Sequence, residues 1–219
     1  MHVSPITRLC CPLCAHGSVF LFHRDRQRSY YRCLKCELVF VPPEEHLSTP
    51  QEKARYDQHS NKTNDPGYRH FLSRIFKPLQ KHIPPPAAGL DFGCGPGPAL
   101  AAMCQEAGYD MDTYDPFYAQ NPIIWGCSYD FITCTEVVEH MRRPGRTILQ
   151  IWDILRPGGW LGIMTKRIIS REAFVNWHYI RDQTHISFFS QATFFWLANS
   201  LQAGILFDGN DVIFLHKPA

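Results

Sequence analysis

The sequence predicts an α/β protein with seven strands in a mostly parallel, helix-covered sheet that ends in an antiparallel hairpin. A small cysteine-bound module and a helical linker precede it. Three observations lead there. From residue 88 onward, short apolar strands alternate with amphipathic helices. Near the C-terminus, Asp208-Gly209-Asn210-Asp211 separates two apolar runs, as a hairpin turn does. Before residue 42, two Cys-x-x-Cys pairs stand 18 residues apart.

The front module, residues 1–42, contains Cys11-Pro-Leu-Cys14 and Cys33-Leu-Lys-Cys36. Each pair puts two sulfurs on one tight knuckle, and the stretch between suits a hairpin that brings the knuckles together. Four thiolates then close a tetrahedral zinc site with no open position for chemistry, so the metal would be structural. The pattern resembles a zinc ribbon. A redox Cys-x-x-Cys needs one pair at a helix start and leaves the second pair unexplained. Cys10, His16 and His23 are read as surface or packing residues. Nine cysteines, five of them before residue 37, do not form the even count of a secreted disulfide scaffold.

Residues 43–87 form the linker. Thr49-Pro50-Gln51-Glu52 reads as a capping box with proline at the first helical position. Asn64-Asp65-Pro66 opens a second helix whose apolar face is Tyr68, Phe71, Leu72, Ile75, Phe76, Leu79 and Ile83. Pro78 is expected to kink it, and Pro84-Pro85-Pro86 to end it as a stiff connector. Tyr56, His59, Asn64 and Tyr68 are candidates for a lid; as a plain alternative they are surface residues and one packing tyrosine.

In residues 88–219 the expected strands are Gly89–Phe92, Asp110–Tyr114, Pro122–Trp125, Tyr129–Cys134, Trp160–Thr165 and the final pair Ile205–Phe207 and Val212–Leu215. Helices are expected near Pro98–Ala107, Gly145–Leu155 and Gln191–Gln202. Leu90-Asp91-Phe92-Gly93-Cys94-Gly95-Pro96-Gly97 ends one strand and opens a helix, so its glycines let backbone amides approach a ligand. Their spacing of two and two is not that of a dinucleotide fingerprint, and no Gly-Lys-Ser/Thr follows as in a phosphate-binding loop. A carboxylate at Asp91 would repel a pyrophosphate but suits an ammonium and a sulfonium. Asp115, at the end of the next strand, is placed to accept from two ribose hydroxyls.

On these residues the segment resembles a class I S-adenosylmethionine-dependent methyltransferase, a Rossmann-like fold. Tyr129-Asp-Phe-Ile-Thr-Cys-Thr-Glu136 matches its fourth strand, Leu155-Arg-Pro-Gly-Gly159 the turn before its fifth, and the last hairpin its antiparallel end. The match covers about 60% of the chain. The resemblance implies S-adenosylmethionine as cofactor, held by Asp91, Gly93, Cys94, Gly95, Gly97, Asp115, Pro116, Phe117 and Thr135. The family's polar adenine contact after the third strand is missing, because only Gly126-Cys127-Ser128 lies there. Phe117 or Trp125 would pack on adenine instead.

The candidate bases are His178 and His185, in the aromatic segment after the fifth strand. The plain alternative is a local structural histidine. Glu136-Val-Val-Glu139-His140, read as a helix start, would gather three ligating groups on one face. It resembles the Glu-x-x-Glu-His element of small-RNA 2′-O-methyltransferases and some quinone O-methyltransferases. The bland reading is polar contacts beside the cofactor. Asp115-Pro-Phe-Tyr118 is not the Asp-Pro-Pro-Tyr motif of base-amino methyltransferases, which follows the fourth strand.

The leading expectation is therefore methyl transfer to a small-molecule acceptor. The runner-up is an RNA methyltransferase anchored by its ribbon, since residues 1–42 carry six bases and two acids whereas the whole chain is +2. A non-catalytic scaffold that binds a partner through the ribbon is the third reading. No apolar run is long enough to span a membrane and no secretory leader precedes Cys10, so a cytoplasmic protein is expected. The sequence specifies neither the acceptor atom nor an oligomeric state.

Overall fold

The computed structural model describes residues 9–58 and 62–219, so His59 and Arg8 lie outside the described residues. The front module is a hairpin, β1 (Val19–Arg24) and β2 (Ser29–Cys33), with β3 (Val39–Phe40) beside it. A fourth strand, β8 (Ser187–Phe188), comes from far along the chain and pairs antiparallel with β3. The ribbon sheet is thus completed by a segment of the main domain.

The linker holds α1 (Thr49–Tyr56) and α2 (Pro66–His82). The cap of α1 lies one residue earlier than the sequence indicates. Ser48, not Thr49, stands outside the helix, and its N–H donates to Gln51 Oε1 at 3.0 Å. Asp65 caps α2 by accepting from the Tyr68 N–H, and the helix continues past Pro78 to His82.

The main sheet contains β4 (Ala88–Phe92), β5 (Asp110–Tyr114), β6 (Tyr129–Thr135), β7 (Leu155–Met164), β9 (Gly204–Asp208) and β10 (Val212–His216). Its order is β5-β4-β6-β7-β10-β9, with the first four parallel and the last two antiparallel. Six strands replace the expected seven. Pro122–Trp125 is not a strand: Pro122–Gly126 winds as a 3₁₀ turn, capped by Asn121 accepting from the Ile123 N–H. Pro122 has no N–H to give a ladder, and the edge position offers Ile123 no core to enter.

Helices α3 (Ala99–Glu106), α4 (Pro144–Asp153), α5 (Arg171–Val175) and α6 (Gln191–Leu201) complete the chain. One sheet face packs on α2 and α3 through Leu72, Ile75, Leu100 and Met103. The other packs on α4 and α6 through Ile148, Ile151, Phe194 and Leu197, in a core that also takes in Cys11, Cys33, Cys36 and Leu38. Ribbon and sheet therefore share buried apolar surface. The approach is close: a Cβ on Gly145 would stand 2.1 Å from the Leu13 carbonyl oxygen. Among the described residues, no helix is long and apolar enough to cross a membrane.

Candidate active site

A cavity of about 930 Å³ opens where β4, β5 and β6 end. One wall is the glycine loop. Gly93 has φ +79°, and a Cβ there would meet Val137 Cγ2 at 2.4 Å, so glycine is required. Gly95, at φ +63°, faces open space, which leaves its backbone bare toward the cavity. Asp115, 7% exposed, stands beneath the loop. Its Oδ2 accepts from the Gly95 N–H at 3.0 Å and its Oδ1 from the N–H groups of Phe117 and Tyr118 at 2.8 and 3.1 Å. Oδ1 is thereby filled, while Oδ2 keeps a lone pair for a further donor.

Cys94, Pro116, Phe117 and Thr135 also line this cavity. Among the described residues, Thr135 Oγ1 is the one buried side-chain nitrogen or oxygen without a hydrogen-bond partner. An orphaned hydroxyl at a cavity wall marks a place for a polar ligand. Asp91 and Gly97 do not line the cavity. The Asp91 carboxylate lies behind the loop, accepts from Thr133 Oγ1 at 3.0 Å, and is pushed up to about 6 by burial. Trp125 and Tyr114 supply the aromatic wall, with ring centroids 5.7 Å apart.

His185, His140 and Glu136 line the same cavity, with the Tyr56 ring between Phe117 and His140. His185 Nδ1 donates to the Tyr179 carbonyl at 2.7 Å, and His140 Nδ1 to the Thr184 carbonyl at 3.1 Å. Those bonds set the tautomers and leave each Nε2 with a lone pair. Burial lowers both imidazoles, His185 to about 3, so both are neutral. Burial, then the charge of Glu139, pushes Glu136 up to about 8. His178 is elsewhere: its Nε2 lies 2.9 Å from Lys166 Nζ, outside this cavity.

The Glu136–His140 segment is not a helix start. Glu136 takes a left-handed φ of 52° and a single 3₁₀ turn, Val138–His140, follows. The three groups consequently diverge. Glu136 and His140 face the cavity, whereas the fully buried Glu139 accepts from Thr165 Oγ1 and the Tyr179 hydroxyl. A ligating atom from each of Glu139, His140 and His185 does lie within 4.8 Å of the others. Of the lid candidates, Tyr56 and Tyr68 line the cavity and Asn64 is exposed.

The segment carrying His185 is held by the ribbon. Arg28, 5% exposed in the β1–β2 turn, donates to the carbonyls of Ile180, Asp182, Gln183 and His185 at 2.6–3.0 Å. Arg32 pairs with Glu37. Two of the six bases counted in the front module are thus spent internally. Sequence reasoning missed this clamp, and it missed Arg143 and Arg146 at the cavity rim, because only tertiary contact separates such arginines from surface ones.

The four front cysteines converge, with all sulfurs within 4.8 Å; Cys11 and Cys36 Sγ are 3.4 Å apart, and Cys14 and Cys33 Sγ 3.5 Å. Thiolates around zinc stand about 3.8 Å apart, from Zn–S bonds of about 2.3 Å, so the cluster fits a metal. The Cys36 thiol beside Cys11 lowers Cys11 to about 6, which supplies a first thiolate.

A family model described as a methyltransferase domain matches residues 61–203. The ubiquinone biosynthesis O-methyltransferase of Saccharophagus degradans is 33% identical over 75 residues, covering 32% of this chain and 30% of that protein. The chain therefore matches less than a third of this curated relative. Among solved structures, an O-methyltransferase family protein from Burkholderia thailandensis aligns with a TM-score of 0.50 and 13% identity, over 78% of this chain and 60% of that one. A methyltransferase of calicheamicin biosynthesis, solved with S-adenosylhomocysteine, aligns with a TM-score of 0.50 and 9% identity, over 70% and 55%. At these identities the structures share the fold. With the family model spanning most of the described chain, the chain belongs to the methyltransferase domain family, in the class I form that its first motif resembles.

Proposed function

We propose that the protein transfers a methyl group from S-adenosylmethionine to a small-molecule acceptor, with a hydroxyl as the receiving group. One observation carries this reading. A single cavity joins the glycine loop and Asp115 to a wall of neutral imidazoles and Glu136. Its volume is near the upper end for one drug-sized ligand, which leaves room for a cofactor and a second compound. The relative named as a ubiquinone biosynthesis O-methyltransferase supports an oxygen as the receiving atom.

In this reading Asp115 Oδ2 accepts from a ribose hydroxyl, Phe117 and Trp125 flank adenine, and Thr135 Oγ1 with the Gly93–Gly95 backbone holds the amino-acid end. Asp91 acts from behind, as a buried acid that fixes the loop through Thr133. The cofactor, when bound, supplies a sulfonium methyl for in-line displacement. His185 Nε2 is the group we assign to accept a hydrogen bond from the acceptor hydroxyl; His178 is too far round the fold for that task. Glu136, whose pKa is raised to about 8, is the base we assign to take the proton near neutral pH. We further propose that Cys11, Cys14, Cys33 and Cys36 hold one structural zinc.

The test incubates the purified protein with methyl-labelled S-adenosylmethionine and an extract of cells lacking the gene. Label in the small-molecule fraction is expected. Label in RNA or protein overturns the acceptor assignment. A protein that leaves every fraction unlabelled and fails to bind the cofactor is the scaffold, not the enzyme.

A further inference from the structure

A second cavity, of about 770 Å³, lies between the ribbon and the main domain. It is lined by five cations and two carboxylates, and both carboxylates are already matched: Arg32 with Glu37, Arg74 with Asp211. Lys166, Arg167 and Arg171 remain, and among the described residues none of them forms an ion pair with a carboxylate, the charge of Glu172 reaching Arg171 only at longer range. Arg171 Nε is tied to the Phe22 carbonyl and Arg167 to the carbonyls of Gly209 and Asn210, so the guanidinium groups are held in place but not neutralised. Ser190, the cap of the eleven-residue α6, and Gln191 and Ala192, its first two residues, close the same space. Trp177 and Ile168 give it an apolar side.

The two cavities are neighbours. Phe71 lines the first and Arg74 the second, and the Arg74 guanidinium lies over the Phe71 ring at 5.4 Å. The charges of Lys166 and Arg74 also reach Glu136 in the first cavity. Lys166 comes two residues after β7 ends, at the carboxyl edge of the sheet where ligands of such folds bind.

We infer that this basic cavity holds a phosphate or diphosphate group carried by the methyl acceptor, while the acceptor's reactive end reaches the cavity beside Glu136 and His185. Three unmatched cations and the free amides at the start of α6 offer more donors than a carboxylate accepts, and a phosphate ester takes them all. The inference rests on the methyltransferase reading and narrows its acceptor to an anionic small molecule.

Isothermal titration of the full chain, saturated with S-adenosylhomocysteine, with inorganic pyrophosphate tests it. One site is expected, weakened roughly tenfold or more by Lys166→Gln or Arg171→Gln as charge-assisted bonds are lost. S-adenosylhomocysteine affinity should be unchanged in both. Lys166 holds no ribbon residue by a hydrogen bond or ion pair among the described residues, its partners being His178 and the Tyr179 ring, so Lys166→Gln keeps the test open where Arg171→Gln loosens the ribbon. Absence of pyrophosphate binding at millimolar concentration, or binding indifferent to both substitutions, overturns the inference and leaves the methyltransferase reading intact. Failure of S-adenosylhomocysteine to bind overturns the reading and the inference with it.

Discussion

Asp115 carries three backbone N–H groups on one carboxylate, and that makes it both a scaffold for the loop and the acid facing the cavity. Asp115→Ala should weaken S-adenosylmethionine binding by roughly 1–3 kcal/mol, the cost of leaving a hydroxyl and loop amides unpaired. Calorimetric titration reads it directly, and an unchanged dissociation constant removes Asp115 from the site. Glu136 makes a different prediction. Its carboxyl is raised from 4.5 to about 8 by burial and by Glu139, against the opposing charges of Lys166 and Arg74. The folded chain then binds more protons than the unfolded one between those values, so this group's contribution to stability is full at low pH and is lost as pH rises through 8. The lowered histidines act the other way, but only below their ordinary 6.5. Between pH 6.5 and 8 the urea midpoint of the cofactor-free protein should therefore fall more steeply, or rise less, than that of Glu136→Gln, which lacks this contribution.

At the level of elements, the β1–β2 turn is the part that reaches furthest. Arg28 satisfies four carbonyls of the segment that turns His185 into the cavity, so the hairpin sets the position of a residue more than 150 positions away. Removing the guanidinium leaves those carbonyls short of donors in a buried setting, at about 1–3 kcal/mol each where water cannot reach. Arg28→Met should lower kcat by roughly tenfold or more while cofactor affinity holds, because the glycine loop does not touch this clamp. Single-turnover rates beside cofactor titration separate the two. The 3₁₀ turn over Pro122–Gly126 has a related role: where the third strand was expected, it sets Trp125 against Tyr114 and Phe92 at the aromatic wall.

For the molecule as a whole, the ribbon is bound into the main domain in three ways. It shares a core with the sheet, takes β8 as its fourth strand, and holds the His185 segment through Arg28. Loss of metal should thus be felt in the active site although the cysteine cluster is no part of it. Cys33→Ser, or a chelator on the unmodified protein, should release one zinc per chain, lower the melting temperature, and reduce turnover more than it weakens S-adenosylhomocysteine binding. Metal analysis, thermal unfolding and the methyl-transfer assay check each part. Full metal content in the variant would sink the zinc assignment.

Some of this was legible in the residues. Periodicity located the helices other than the short α5, and most strands, since burying one face of an element leaves its spacing in the chain. Cys11, Cys14, Cys33 and Cys36 announced their cluster, because ligands that must converge at one point need fixed knuckle spacing. Gly93, Gly95 and Asp115 announced the loop, because close backbone approach tolerates few residue types. The remainder depended on contacts that no local pattern encodes. Arg28 is an ordinary arginine in sequence and a buried clamp in the fold; His178 and His185 share one short segment, yet only His185 turns inward. The Glu136–His140 run looked like one helical face, but a left-handed residue splits it between a cavity and a core. Sequence by itself determined the elements and the chemistry available; tertiary packing alone decided which charges are spent on the fold and which remain for a ligand. The physical reason is that burial and pairing, which set the charge and reach of each side chain, arise only once distant segments meet.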